Sequence, residues 1–288
     1  RTFIVSEDDT TYGAWNDCPA PTAARILTDA PQNGGADASV WEFTAPSDGV
    51  YTLTVQGAGT GALYDTTDVL PKAGREGTML QRGFYLEAGE TALFCVQAEA
   101  SYTVEVTRAQ EIGLCSPVRF NAAFTGYERF FSFTAPAAGS YVFHAAGESG
   151  WLYKLGENAV WELYRHFSAS RPDSGVSLTL EKGQRVYFRI AYTAIGSYSF
   201  AVSRPAPEVS VSDEGVNVSY DPEFTGLHLI ALYDADGRMV DVQYVPVQSL
   251  DTRISVVLRG TKTGFVRVFQ LDAEKNTPLT AAKQIELV

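Results

Sequence analysis

Positive charge is scarce in this 288-residue chain, where 22 lysines and arginines stand against 34 aspartates and glutamates for a net charge of −12. Nucleic-acid binding needs a basic surface that displaces phosphate counterions, so a nucleic-acid partner is not expected. The acidity reads instead as a surface kept soluble and non-sticky. No run approaches the ~18 apolar residues of a membrane helix, and no membrane insertion is expected within this sequence. The first residues, RTFIVSEDDTT, lack the charged start and apolar stretch of a secretory signal. A chain that begins at Arg1 is expected to be a processed mature protein or an excised piece.

Histidine and cysteine are scarce as well. His144, His166 and His228 lie far apart, and none belongs to an HExxH pattern, which would put two imidazoles on one helix face. No GxSxG elbow and no papain-like signature occurs. No catalytic residue and no enzymatic activity are therefore expected. Cys18, Cys95 and Cys115 are an odd number without the close spacing of a zinc site. Cys95 lies in the strand pattern ALFCV and is expected to carry a free thiol. Cys18 and Cys115 each precede the first strand of a repeat, either as equivalent positions or as partners across a junction.

Long stretches of Leu, Ala, Lys and Glu at helical spacing are also missing, while aromatic and β-branched residues, glycine and proline are frequent. The chain is expected to be all-β. Its organising feature is a duplication. FTAPSDGVYTLTV from Phe43 returns as FTAPAAGSYVFHA from Phe133, FYLEAGETALFCV from Phe84 as SLTLEKGQRVYFRI from Ser177, and ASYTVEV near Tyr102 as GSYSFAV near Tyr198. The offset grows from 90 residues at the first motif to 96 at the last, which places the insertions in loops.

Within each copy, short alternating strands are separated by turn residues. Tyr51, Leu53 and Val55 point one way and Thr52 and Thr54 the other, as a two-sheet sandwich requires. APSDG and APAAG, then EAGE at Glu87 and EKGQ at Glu181, supply the corners. The expected domains are a β-sandwich over 1–109, a second over 110–204 and an immunoglobulin- or fibronectin-like β-sandwich over 205–288. RPAPE, Arg204 to Glu208, is a stiff linker expected to admit some motion. In the last domain, Val209, Val211, Val216 and Val218 alternate around a turn, and Asp236-Gly237 reads as a two-residue hairpin. One edge of that sandwich is expected to be shielded by charge or proline.

FTAP, a Tyr strand, G-x-LY (Gly61 to Tyr64, Gly150 to Tyr153), L-E-x-G and a terminal SY strand together resemble the bacterial pre-peptidase C-terminal domain family, twice over most of residues 17 to 204. The resemblance implies a jelly-roll-like sandwich appended to secreted hydrolases and generally non-catalytic, some relatives binding collagen, polysaccharide or calcium. ALYDADGRMVDV and VRVFQLD are similar to C-terminal immunoglobulin-like modules of large surface proteins from Gram-positive bacteria. This implies an extracellular or cell-surface location.

Two stretches are binding candidates. Trp151, Tyr153, Trp161, Tyr164, His166 and Phe167, with Lys154, Arg165 and Arg171, form an aromatic cluster of the kind that stacks on pyranose rings. The same stretch also reads as ordinary sandwich strand, since Leu152 and Tyr153 correspond to Leu63 and Tyr64, or as an interdomain contact. The acidic Glu7, Asp8 and Asp9 could supply hard oxygens to calcium, or form a solvated tail. The expected function is display, spacing and weak recognition of a glycan or extracellular protein by a monomeric, non-catalytic module without a resident cofactor. The alternative makes the chain an ancillary part of a secreted peptidase or glycosidase.

Overall fold

A computed structural model of the protein describes residues 24–287 apart from 29, 37–38, 58–60, 66–79, 123–127, 157–158, 171–174, 213–214, 221–225, 248–252, 261–262, 273–275 and 281. The described residues form an all-β chain without an α-helix, arranged as three tandem sandwiches with three separate apolar cores.

The first unit contains β1 (Arg25–Ile26), β2 (Gln32–Gly34), β3 (Ser39–Thr44), β4 (Gly49–Gln56), β5 (Gly61–Asp65), β6 (Leu80–Leu86), β7 (Thr91–Ala98) and β8 (Tyr102–Arg108). Its sheets run β1-β3-β7-β5 and β2-β8-β4-β6. The second contains β9 (Gln110–Glu111), β10 (Val118–Ala122), β11 (Glu128–Thr134), β12 (Gly139–Gly147), β13 (Ser149–Leu155), β14 (Trp161–Ser168), β15 (Val176–Leu180), β16 (Arg185–Tyr192) and β17 (Gly196–Ser203). Its sheets run β14-β13-β16-β11-β9 and β10-β17-β12-β15. Strand for strand the two orders coincide, including the parallel start of β1 on β3 and of β9 on β11. Among the described residues the second unit also shows β14, which completes the eight strands and two Greek keys of a jelly roll over β10 to β17.

The equivalence extends to single hydrogen bonds. The Tyr51 hydroxyl donates to the Ser47 carbonyl, and the Tyr141 hydroxyl to the Ala137 carbonyl at 2.6 Å. Gly89 N–H donates to Ala45 O and Gly183 N–H to Ala135 O, each at 2.8 Å. The alternation along β4 puts Tyr51, Leu53 and Val55 into the core, as β12 does with Tyr141, Phe143 and Ala145.

The third unit contains β18 (Glu208–Ser212), β19 (Gly215–Ser219), β20 (Leu227–Tyr233), β21 (Met239–Pro246), β22 (Arg253–Val256), β23 (Gly264–Leu271) and β24 (Lys283–Leu287), in sheets β18-β19-β22 and β21-β20-β23-β24. This is an immunoglobulin- or fibronectin-like sandwich. Its edge strand β21 ends at Pro246 and carries Asp241, whose carboxylate accepts the Arg259 N–H, so charge and proline both blunt the edge. The hairpin at Gly237 is longer than two residues: Asp234 N–H closes it on Arg238 O at 2.9 Å, and Asp234 Oδ1 accepts the N–H groups of Asp236 and Arg238. A side chain that caps its own turn stabilises the five-residue loop over a tight one.

The two jelly rolls pack directly. Val50 and Phe130 point away from their own cores, yet both are buried, with Ala109 and Tyr187, in a small cluster between the units. A Cβ on Gly83 would lie 2.0 Å from the Phe130 ring, so this close approach of β6 requires glycine. Tyr85 meets Tyr187 edge-on at 6.0 Å, and Glu128 N–H donates to Gln81 Oε1 at 3.1 Å. The linker to the third unit is anchored at both ends, with Arg204 and Pro207 buried. Arg204 N–H donates to Leu279 O at 3.0 Å, and its Nη2 to Ala138 O at 3.1 Å.

The expectations about the cysteines are corrected. Cys95 is disulfide-bonded, to a partner outside the described residues, and Cys115 carries the free thiol, so Cys115 does not pair with Cys18. Cys95 does point away from the core of β7, but its side chain is fully buried there. Alternation says which way a side chain points, not whether something covers it.

Candidate functional site

The aromatic stretch forms the hairpin β13–β14 at one edge of the second jelly roll. In GWLYKL, Leu152 enters the core while Trp151 and Tyr153 emerge on the outer face. β14 pairs so that His166 lies opposite Trp151, Leu163 opposite Tyr153 and Trp161 opposite Leu155, and these residues share that face. A bulge at Leu152/Tyr153 shifts the register, leaving Tyr164 between the pairs. Tyr164 instead meets Lys154, whose ammonium stands 5.8 Å from its ring centroid. Lys154 alternates with Tyr153, so Tyr164 belongs to the opposite side of the hairpin.

The outer face is divided between two roles. At its inner end, Trp161 lies 5.6 Å from Phe130 and packs with Leu155 on the cluster between the units. At its outer end, the Trp151 and His166 rings meet edge to face at 4.5 Å, Trp151 half-buried and His166 exposed. Between them stands Arg189 of β16, directly opposite Tyr153. Its guanidinium lies 3.9 Å over the Tyr153 ring and 5.5 Å from that of Trp161, and its Nη1 is 3.3 Å from Glu128 Oε1. A guanidinium flanked by ring faces and a carboxylate is held in one orientation.

Trp151, Tyr153, Trp161 and His166 are thus brought to one face, and Tyr164 is not. Arg189 and Glu128, absent from the sequence-based candidates, are the polar members. The signal that marks Arg189 is its alignment with Cys95 of the first copy, a charged side chain where the duplicate needs none. Phe167 is buried in the core on the other face, against Gly150.

Glu7, Asp8 and Asp9 lie outside the described residues. Among the described residues, no group of three His, Cys, Asp or Glu side chains is placed to hold a metal ion. Cys115 stands in a turn with φ of 54°, and burial pushes its thiol up to about 11. No helix among the described residues is long and apolar enough to cross a membrane.

No family model and no curated protein matches the sequence. Among solved structures, the chain is similar to the β-glucuronidase of Ruminococcus gnavus in complex with D-glucuronic acid, with 11% identity and a TM-score of 0.17 over 86% of this chain and 36% of that one. It is also similar to a β-D-glucuronidase of Dictyoglomus thermophilum, with 10% identity and a TM-score of 0.24 over 82% of this chain and 44% of that one. The chain spans less than half the length of either protein. A likeness this weak says nothing about what this chain does.

Proposed function

We propose that this chain is a non-catalytic, extracellular or cell-surface recognition and spacing module, in which two coupled jelly rolls and a third sandwich display one binding face for a glycan or an extracellular protein. One observation carries the reading. Among the described residues, the contact between the jelly rolls uses the Trp161 end of the outer face of β14-β13-β16, while at the other end Trp151 is half-buried and His166 exposed. Half-exposed indole beside hydrogen-bonding groups suits recognition better than core filling. The resemblance to pre-peptidase C-terminal domains, generally non-catalytic appendages, agrees with it.

The test is binding of the intact chain to a glycan array and to a panel of extracellular matrix proteins. Recognition by this face predicts that Trp151→Ala weakens the strongest interaction at least about tenfold, the loss of one good contact, with the thermal unfolding midpoint unchanged. Binding that survives the substitution removes the face from recognition and leaves a spacer. Finding a protease or glycosidase domain in the neighbouring coding sequence would make the same module the ancillary part of a hydrolase.

A further inference from the structure

The register of the second jelly roll places a small residue between two large polar or aromatic ones. Trp151 of β13 and Glu128 of β11 both stand directly opposite Ala191 of β16. The outer face therefore reads His166, Trp151, Ala191, Glu128 across four strands. With neighbouring strands about 4.8 Å apart, an indole and a carboxylate on either side of an alanine are separated by about 10 Å and floored by a methyl group. Two residues from Ala191 in opposite directions stand Arg189 on β16 and Thr193 just beyond its end. The Thr193 hydroxyl donates to Ser149 Oγ at 2.9 Å, and Ser149 Oγ lies 3.5 Å from His166 Nε2. The recess that this register implies over Ala191 has one aromatic wall, hydroxyl groups at one end, and at the other the Glu128–Arg189 pair, whose side chains are 13% and 20% exposed.

The first jelly roll serves as an internal comparison. Its core residues on β7 match those of β16, Phe94 with Phe188 and Val96 with Ile190. At the recess every equivalent differs: Ala62 stands for Trp151, Gln97 for Ala191, Cys95 for Arg189 and Glu99 for Thr193. Among the described residues, the constellation of Trp151, Ala191, Arg189 and Thr193 is found in the second copy, and the shared core of the two jelly rolls does not depend on it.

We infer that Ala191 is the floor of a subsite for one neutral hexopyranosyl residue, its apolar face against Trp151 and its hydroxyls on Thr193, Ser149 and the Glu128–Arg189 pair. This inference rests on the recognition reading above and names the ligand class of the same face. Neutral sugars are favoured over carboxylated ones because the Arg189 guanidinium is already ion-paired with Glu128 and the whole chain carries −12.

The experiment titrates the intact chain with methyl glucopyranoside, methyl galactopyranoside, methyl mannopyranoside and methyl glucuronide, followed by saturation-transfer NMR and calorimetry. At least one neutral glycoside is expected to bind, and the glucuronide more weakly than its neutral counterpart. Ala191→Leu fills the recess from a partly exposed position and is expected to weaken binding at least about tenfold, and Thr193→Val several-fold, with unchanged unfolding midpoints. Binding retained in Ala191→Leu but lost in Trp151→Ala would overturn the subsite and leave the recognition reading standing. A glucuronide bound as tightly as the glucoside would overturn the neutral preference. If no glycoside binds, the subsite is wrong, and the recognition reading then stands or falls on the matrix-protein panel with Trp151→Ala.

Discussion

His228 shows how far a single side chain departs from its ordinary chemistry when a sandwich closes over it. It lies on β20 with none of its surface exposed, 4.6 Å from the Tyr220 ring, and burial pushes its imidazole down from 6.5 to about 4. The unfolded chain takes up a proton below about pH 6.5 that the folded chain accepts only near pH 4. The neutral form therefore contributes its stability fully above pH 6.5, and this contribution is lost as the pH falls toward 4, on the order of 3 kcal/mol in all. Urea unfolding of the third unit between pH 8 and pH 4 should show this decline, and His228→Phe should flatten it. At this scale the sequence is a poor guide to environment. His228 and Cys95 sit in strand patterns like those of dozens of other residues, and only the side chains brought over them from elsewhere in the chain decide that one stays neutral and the other is enclosed and bonded.

Elements were far more legible, because turn chemistry and period-two alternation are local. EAGE and EKGQ predict the same corner in both copies, and the structure gives Gly89 and Gly183 φ values of 80° and 81°, where an added Cβ would meet nothing within 4 Å. Gly89→Ala and Gly183→Ala should each cost about 1 kcal/mol, the left-handed strain of an L-residue alone. Equal losses in chemical denaturation would verify that the corners are equivalent, whereas a loss confined to one copy would contradict it. What alternation could not reveal was the bulge between β13 and β14. One extra residue turns Tyr164 away from Trp151, Tyr153 and His166, and no count along WELYRHF shows where the register slips. The recess over Ala191 was hidden for a related reason: alanine carries no signal in sequence and acquires meaning only from Trp151 and Glu128 on neighbouring strands.

For the whole molecule, the packing of one jelly roll on the other is the largest consequence of tertiary structure. Val50, Phe130 and Tyr187 are outward-facing residues committed to that contact, and Gly83 admits the Phe130 ring. Phe130→Ala should cost about 3 kcal/mol, and Gly83→Val should displace the ring. Both variants are expected to split the thermal unfolding of residues 24–204 into two transitions and to enlarge the radius of gyration in small-angle scattering. A single unshifted transition would show that the contact does not couple the units. Arg204, anchored to both neighbouring units, should likewise restrain the RPAPE linker, and scattering of Arg204→Ala against the parent chain measures how much motion it withholds.

Residue order alone was enough for the duplicated all-β architecture, its corners and the direction in which most strand side chains point, since each of these follows from residues a few positions apart. Which outward side chains are dry, which are wet and which meet was settled by the packing of distant segments. Whether an outward-facing indole is cemented like Trp161 or open like Trp151 depends on a neighbouring unit some hundred residues away along the chain, and no local pattern encodes that approach.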